Sequence, residues 1–247
     1  MNDLHVIELS SFLGNLLSIN ISKCDSLTHL ALFALLKNCA KLRDVKMEYT
    51  AIGKMSIEKS YTLMDFDVHP QLKSLRLANN PYLRDEDVNM FASVFPNLQL
   101  LDLSYLYGIS TEGIGQVLRK SSKIRNLNLS HCSRLKQLIM NLKVLTQVVL
   151  NLSHTRIDDK SLCMISTSCF GLLHLDLGHC YNVTGKGVMQ VVENCKQLRE
   201  INLQGCCSVL AYVVDSMVFI RPSLRKITAP SCDTKRKLFL HHGCLVC

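Results

Sequence analysis

A leucine pattern recurs along the chain at an interval of about 26 residues. The motif L-x-x-L-x-L-x-x occurs nine times, followed in all but one case by a small polar residue or cysteine, and its three apolar columns give 27 positions of which only Gln147 breaks the rule. Because each such unit can bury its apolar side only against its neighbours, the pattern predicts a stacked solenoid. The motif starts at Leu16, Leu42, Leu72, Leu98, Ile124, Gln147, Leu172, Leu198 and Leu224.

Within each unit, the spacing of the apolar residues predicts one strand followed by one helix. The strand comes from the alternating apolar positions of the motif, and the helix from a capping residue that precedes apolar residues at helical spacing. Segments that open in this way include 85–94, 111–118, 158–165 and 184–192. The predicted fold is therefore an α/β solenoid, a horseshoe with parallel strands on its concave face and helices on its convex face.

The ninth position of each unit is small and polar, or cysteine, in every unit but one. Such a side chain can hydrogen-bond to backbone groups that would otherwise be buried without partners where the chain turns off the strand. Cysteine also packs there as a small apolar residue. The ninth positions are Cys24, Thr50, Asn80, Leu106, Cys132, Thr155, Cys180, Cys206 and Cys232.

Eight of the 12 cysteines fall into such columns. Five occupy the ninth position, and Cys39, Cys169 and Cys195 each stand three residues before the first leucine of the next unit. We interpret these eight as structural residues rather than as catalytic groups or metal ligands. The remaining four are Cys163, Cys207, Cys244 and Cys247.

The repeat resembles the cysteine-containing class of leucine-rich repeats (LRRs). Segments 154–159, 178–184 and 194–198 carry this resemblance, as HTRIDD, GHCYNVT and NCKQL. The class is found chiefly in F-box/LRR proteins, and the overall character is similar to that of plant members. In that family, an upstream F-box docks on the Skp adaptor of an SCF ubiquitin ligase, while the repeats capture the protein to be ubiquitinated. The resemblance therefore implies a role in ubiquitin-dependent protein degradation.

The pattern divides the chain into three parts. Residues 1–15 are predicted to be the trailing helix of a preceding repeat, residues 16–232 an LRR domain of about nine units, and residues 233–247 a basic tail that ends in cysteine. We expect no room for an F-box here. The predicted function is therefore the substrate-recognition LRR region of an F-box protein, and the alternative is a free-standing LRR scaffold without ligase attachment. The sensing part of an immune receptor is a third candidate.

Two units depart from the regular length or pattern. The second carries four extra residues, and its segment 55–67 could project as a binding loop. The fifth, over 133–146, has no clear helix cap and is predicted to hold only a short helix.

Side chains between the buried leucines of each strand are predicted to point into the concave face. Charged residues at these positions nearly balance, whereas a surface that follows phosphates is dense in lysine and arginine. The net charge of +8 arises mostly after residue 220, where six basic residues and one acidic residue occur. We therefore predict a protein partner and no nucleic acid. The candidate partner-binding residues are Asp44, Lys46, Glu48, Arg76, Asp102, His174, Asp176, Glu200 and Asn202.

The tail supports three interpretations. Cys244, Leu245 and Val246 precede a terminal cysteine as in a prenylation box, and a basic cluster lies upstream, so Cys244 is a candidate lipidation site and the only reason to expect a membrane. The pair formed by Cys244 and Cys247 could also bind a metal or act in redox chemistry, although no second C-x-x-C completes four ligands. The third interpretation is a disordered end.

Neither a cofactor nor a catalytic centre is predicted. The chain contains no G-x-G-x-x-G, P-loop, H-E-x-x-H or G-x-S-x-G motif. His131, His154 and His179 share the eighth position of three consecutive units, which resembles a metal ladder, but we interpret them as aligned turn residues. With no secretory signal in the first residues, a cytoplasmic or nuclear location is expected.

Overall fold

The computed structural model describes residues 1–54, 67–136, 147–230, 239–241 and 244–246. The predicted binding loop at 55–67 lies almost entirely outside the described residues, as does most of segment 133–146 of the fifth repeat. The chain divides into two compact units, Met1–Ile124 and Arg125–Cys247, which we call unit 1 and unit 2. Among the described residues, no helix is both long enough and apolar enough to cross a membrane.

The described residues of unit 1 form four short strands and four helices, of which α1 packs on α2 and α3 on α4. Adjacent strands pair in parallel and in register, so Lys46 of the second strand stands between Asn20 and Arg76. The strands are β1 Ser18–Asn20, β2 Asp44–Lys46, β3 Ser74–Arg76 and β4 Leu100–Asp102. The helices are α1 Asp3–Ser10, α2 His29–Asn38, α3 Asp85–Val94 and α4 Thr111–Lys120.

Unit 2 repeats this arrangement in its described segments, with parallel strands β5 to β9 and three helices. Two further strands follow: β11 pairs in parallel with β9, and β10 pairs antiparallel with β11. The strands are β5 Asn126–Asn128, β6 Val148–Asn151, β7 Leu172–Asp176, β8 Glu200–Asn202, β9 Lys226–Thr228, β10 Phe239–His241 and β11 Cys244–Val246. The helices are α5 Asp159–Ser168, α6 Gly185–Asn194 and α7 Ala211–Ile220.

The predicted fold class, an α/β leucine-rich-repeat solenoid, is confirmed. In the third repeat, the three motif leucines Leu72, Leu75 and Leu77 are all fully buried. Gln147, which interrupts the leucine pattern, marks a local irregularity in the structure. It is exposed and has a φ of 59°, and the pairing of β6 with β7 shifts register between Val148 and Val149. Within the segment predicted as a basic tail, β10 and β11 extend the sheet of unit 2.

Each of the strands β1 to β8 is followed by a turn whose eighth-position residue has a left-handed backbone. Most L residues avoid this conformation, because their Cβ comes too close to the following carbonyl oxygen. Only one of the positions is glycine, so the stacked turns impose this backbone on ordinary side chains. The residues are Lys23, Tyr49, Asn79, Tyr105, His131, His154, His179 and Gly205, with φ between 53° and 71°.

Consecutive helices are joined by an aspartate at the first position of one helix. Its carboxylate accepts hydrogen bonds from the backbone N–H and the hydroxyl of the residue that caps the next helix. A Cβ on Gly113 or Gly187 would overlap the Asp85 or Asp159 carboxylate, so glycine leaves room for it. The three pairs are Asp3 with Thr28, Asp85 with Ser110, and Asp159 with Thr184.

This connection predicts that Asp159→Ala destabilises the protein, because it removes two hydrogen bonds to a charged acceptor at the start of α6. We expect the free energy of unfolding to fall by about 1–3 kcal/mol. Lys160→Ala is the matched control, since Lys160 is the exposed neighbour of Asp159 on α5. Urea unfolding of both variants measures the difference. Equal stability of the two variants would contradict the proposed role of the carboxylate.

Candidate functional site

The outer side of the unit 2 sheet presents two rows of mostly polar side chains. Between them lies a row of buried apolar residues that belongs to the core. The strands are in register, so each row runs straight across the sheet. The first row is Asn126, Val149, His174, Glu200 and Lys226; the second row is Asn128, Asn151, Asp176, Asn202 and Thr228.

A cavity of about 280 Å³ opens between the two rows. It is lined from Val149 and Asn151 of β6 to Lys226 and Thr228 of β9. This volume is slightly below the range of ordinary small-molecule pockets and suits one side chain or a similarly small group. Four of the nine predicted partner-binding residues line it, namely His174, Asp176, Glu200 and Asn202. The other lining residues were not included in that prediction. Which residues meet across neighbouring strands depends on the register of the strands, and the sequence pattern alone does not select the residues that surround one cavity.

The charged residues of the first row are only loosely held. His174 Nδ1 lies 3.3 Å from Glu200 Oε2, and both side chains are partly exposed. Within the described residues, Lys226 forms no ion pair although it is the strand neighbour of Glu200. Exposed ion pairs contribute little to stability, so the first row is available for contacts with another molecule.

Second-row side chains close the turns that follow the strands. Asp176 Oδ1 accepts hydrogen bonds from the backbone N–H of Gly178 and from Asn202 Nδ2, both at 2.9 Å. The same bond to the N–H two residues ahead is made by Asn128, Asn151 and Asn202, at 3.1, 2.9 and 3.0 Å. These residues therefore stabilise the turns, whatever else they bind.

The other five predicted partner-binding residues lie on unit 1. Lys46 pairs with Glu48 at 3.2 Å, and Arg76 Nη1 lies 3.9 Å from Asp44 Oδ1. Asp102 belongs to the turn-closing type, since its Oδ1 accepts hydrogen bonds from the backbone N–H and hydroxyl of Ser104. Partner binding by all nine residues stays a prediction.

The ninth-position side chains bond to backbone carbonyls, as predicted. In unit 2, the thiols of Cys180 and Cys206 donate to the carbonyl oxygens of Leu152 and Leu177, at 3.1 and 3.0 Å. In unit 1, Asn80 Nδ2 donates to two carbonyls, including Met47 O at 2.7 Å. Each of these side chains satisfies a carbonyl of the preceding repeat, so the column fastens one turn to the next.

The buried thiols are poor nucleophiles. Burial raises the pKa of Cys169 and Cys206 to about 12 and that of Cys195 to about 11, so these thiols stay protonated at neutral pH. Cys39, Cys169 and Cys195 are buried at the C-terminal ends of α2, α5 and α6. Their position supports the structural interpretation of the columns.

The predicted lipidation site lies inside the sheet. Cys244 is only 1% exposed in β11, whose neighbour β9 it joins through Leu245 and Val246. Alkylation of its sulfur would require this strand to leave the sheet. Cys247 lies outside the described residues, so the C-x-x-C interpretation stays a prediction. Cys207, another cysteine outside the repeat columns, is disulfide-bonded.

The predicted row of histidines is a stack of three imidazole rings. Centroids of His131 and His154 are 4.0 Å apart and those of His154 and His179 are 4.4 Å apart, with interplanar angles of 14° and 19°. The Tyr181 ring meets His179 edge-on. A Cβ on Gly205 would lie 2.5 Å from His179 Nδ1, so the glycine leaves room for the last ring. Among the described residues, no group of three or more histidine, cysteine or acidic side chains could hold a metal ion.

Several solved structures share the fold of this chain at low sequence identity. No known family model matches the chain. One similar solved structure is Rad7 in complex with Elc1 from yeast, with 15% identity, a TM-score of 0.57, and coverage of 99% of this chain and 77% of that one. An internalin from Listeria monocytogenes has 16% identity and a TM-score of 0.59, with coverage of 90% of this chain and 55% of that one. The Toll–Spatzle complex of Drosophila has 12% identity and a TM-score of 0.53, with coverage of 91% of this chain and 31% of that one. These similarities show the shared LRR fold, and the chain spans only part of the longer two.

The turn-closing role of the second row predicts that two substitutions at Asp176 differ in effect. Asp176→Ala removes the acceptor for Gly178 and Asn202 and should lower the free energy of unfolding by about 1–2 kcal/mol. Asp176→Asn keeps an oxygen acceptor at the same place and should lower it by well under half of that amount. Urea unfolding monitored by circular dichroism compares the two variants, and equal losses would refute the role.

The histidine stack predicts a loss of stability in acid. Burial and the neighbouring imidazoles lower the pKa of His131 and His154 below the ordinary value of 6.5. The unfolded chain therefore binds more protons than the folded chain near pH 6, and stability falls as the pH drops through 6.5. As the pH is lowered from 8 to 5, the free energy of unfolding should decline less steeply in His154→Asn than in the wild type, because the variant lacks one of the titrating rings. Asparagine is the replacement because it tolerates the left-handed backbone.

Other titrating groups do not affect this comparison, because they are common to both proteins. Burial also lowers the pKa of His29 and His69, which adds to the acid loss. Burial raises the pKa of Asp87 to about 6, which acts in the opposite direction because the folded chain then holds the proton more tightly. Parallel pH profiles of the wild type and His154→Asn would show that the stack carries no proton linkage.

Proposed function

We propose that the chain is a non-catalytic protein-interaction module, and that it is the substrate-recognition LRR region of an F-box protein in an SCF ubiquitin ligase. The observation that carries the interaction role is the sheet face of unit 2, where two rows of outward side chains border an open cavity. The rows combine both signs of charge with amide groups, which is typical of a surface that recognises protein.

The similar structures support a protein partner. Two of the three are complexes, of Rad7 with Elc1 and of Toll with Spatzle. The ligase assignment itself rests on the resemblance of the cysteine-containing repeats to F-box/LRR proteins. In this proposal, the Skp adaptor and cullin join only through an F-box encoded in the parent protein, and the module acts in the cytoplasm or nucleus.

A free-standing LRR scaffold is the second candidate. It shares the capture surface and lacks attachment to a ligase. Co-purification of the full-length parent protein separates the two, since recovery of the Skp adaptor with it supports the ligase assignment. Absence of the adaptor from a parent that still captures its partner would leave the scaffold.

The capture surface is tested by reversing the charges of the first row. A variant with His174→Ala, Glu200→Lys and Lys226→Glu alters the outer face and leaves the turn-closing residues in place. We expect about a tenfold or larger loss of partner recovery in affinity purification, because the reversed charges would repel partner groups that are complementary to the wild-type row.

A control variant with Lys186→Glu and Glu193→Lys changes exposed charges on α6 and also leaves the net charge unchanged. It should retain all partners. Partners that bind the first-row variant as well as they bind the wild type would place capture elsewhere on the molecule. Thermal unfolding of both variants should match that of the wild type.

A further inference from the structure

Two carboxylates line the cavity of unit 2, and each has one oxygen without a hydrogen-bond partner among the described residues. Asp176 uses Oδ1 for both of its hydrogen bonds, and Glu200 uses Oε2 for His174. Within the described part of the chain, Asp176 Oδ2 and Glu200 Oε1 accept no hydrogen bond. Asp176 is held by the turn that it closes and Glu200 by one loose ion pair, and each carboxylate keeps one oxygen for a donor from outside.

Register fixes how far apart these two carboxylates stand. Glu200 pairs with His174, and Asp176 lies two residues further along the same strand, so the two acids are diagonal neighbours on adjacent strands. A strand spacing of about 4.8 Å and a rise of about 3.3 Å per residue place their Cα atoms about 8 Å apart. A planar group with N–H donors on several sides can bond to both carboxylates across that distance. An ammonium group, whose donors share one nitrogen, can approach only one of them closely.

The charge of the lining favours a cation over an anion. Two carboxylates, from Asp176 and Glu200, face one ammonium, from Lys226. Glu200 is oriented toward His174 rather than toward Lys226, so the lysine does not neutralise it. An entering carboxylate would meet two like charges, while an entering cation would meet one.

We infer that the cavity between Asp176 and Glu200 receives an arginine side chain of the captured protein. The guanidinium carries five N–H donors in a rigid fork, which suits two separated carboxylate oxygens. Its methylene stem passes over the main chain of Leu150, Leu175 and Ile201, which forms the floor of the cavity because their side chains face the core. This inference rests on the proposed function, to which it adds the chemistry of the partner.

The test uses the full chain and a defined probe, N-acetylarginine amide, with N-acetylcitrulline amide as its uncharged isostere. Nuclear magnetic resonance follows the methyl groups of Val149 and Ile201 during titration. We expect shifts confined to residues around the cavity, with a dissociation constant on the order of 1 mM. The citrulline probe should cause no shift at these methyl groups.

Three charge variants give the sign of the interaction. Asp176→Asn and Glu200→Gln keep the shape of each side chain and remove its charge, and each should weaken arginine binding by about tenfold. Lys226→Gln removes the repelling ammonium and should strengthen binding by about threefold. Weaker binding in Lys226→Gln, or equal binding of citrulline, would overturn the assignment, as would an absence of shifts at the cavity.

The outcome is separable from that of the proposed function. If the arginine probe binds the cavity while partner recovery is unaffected by the first-row variant, the cavity chemistry stands and capture by this face is wrong. If the first-row variant abolishes recovery and the arginine probe leaves the cavity unshifted, capture stands and the arginine inference is wrong.

Discussion

The structure depends on one constraint: a repeat of about 26 residues has an apolar side that only an adjacent repeat can cover. Stacking buries the leucine columns, but it also brings backbone carbonyls of one turn under the next, where water cannot reach them. Ninth-position side chains resolve this conflict, because the thiols of Cys180 and Cys206 and the amide of Asn80 donate to those carbonyls. On the helix side, the aspartates that begin α1, α3 and α5 accept hydrogen bonds from the backbone N–H groups of the residues that cap the next helices.

Sequence was sufficient for features that depend on local spacing. The leucine columns, the helix starts such as Asp85 and Thr111, and the hydrogen-bonding role of the ninth position all follow from periodicity and side-chain chemistry. The anomaly at Gln147 also marked a real irregularity, the shifted register of β6. These features are predictable because each is decided within one repeat or between two successive ones.

Features that depend on which atom of a side chain is already engaged could not be predicted. Alternation placed Asp176 and Glu200 on the same outer face, and on that basis both were assigned to partner binding. The structure separates them, since Asp176 closes a turn through Oδ1 while Glu200 makes one loose ion pair. The pairing of Cys244 with the sheet was missed as well, because a strand of three residues in a basic tail carries no periodic signal.

This separation of tasks explains how one surface can keep its fold and vary its partner. A second-row residue is held by the turn it closes, so replacing it changes stability as well as binding. First-row residues such as His174, Glu200 and Lys226 hold no turn, so they can change with the partner at little structural expense. The cavity lies where the rows meet, and it therefore joins a fixed acceptor on Asp176 with an adjustable one on Glu200. Under the proposed function, the first row would set the specificity of this face against a frame that the second row keeps constant.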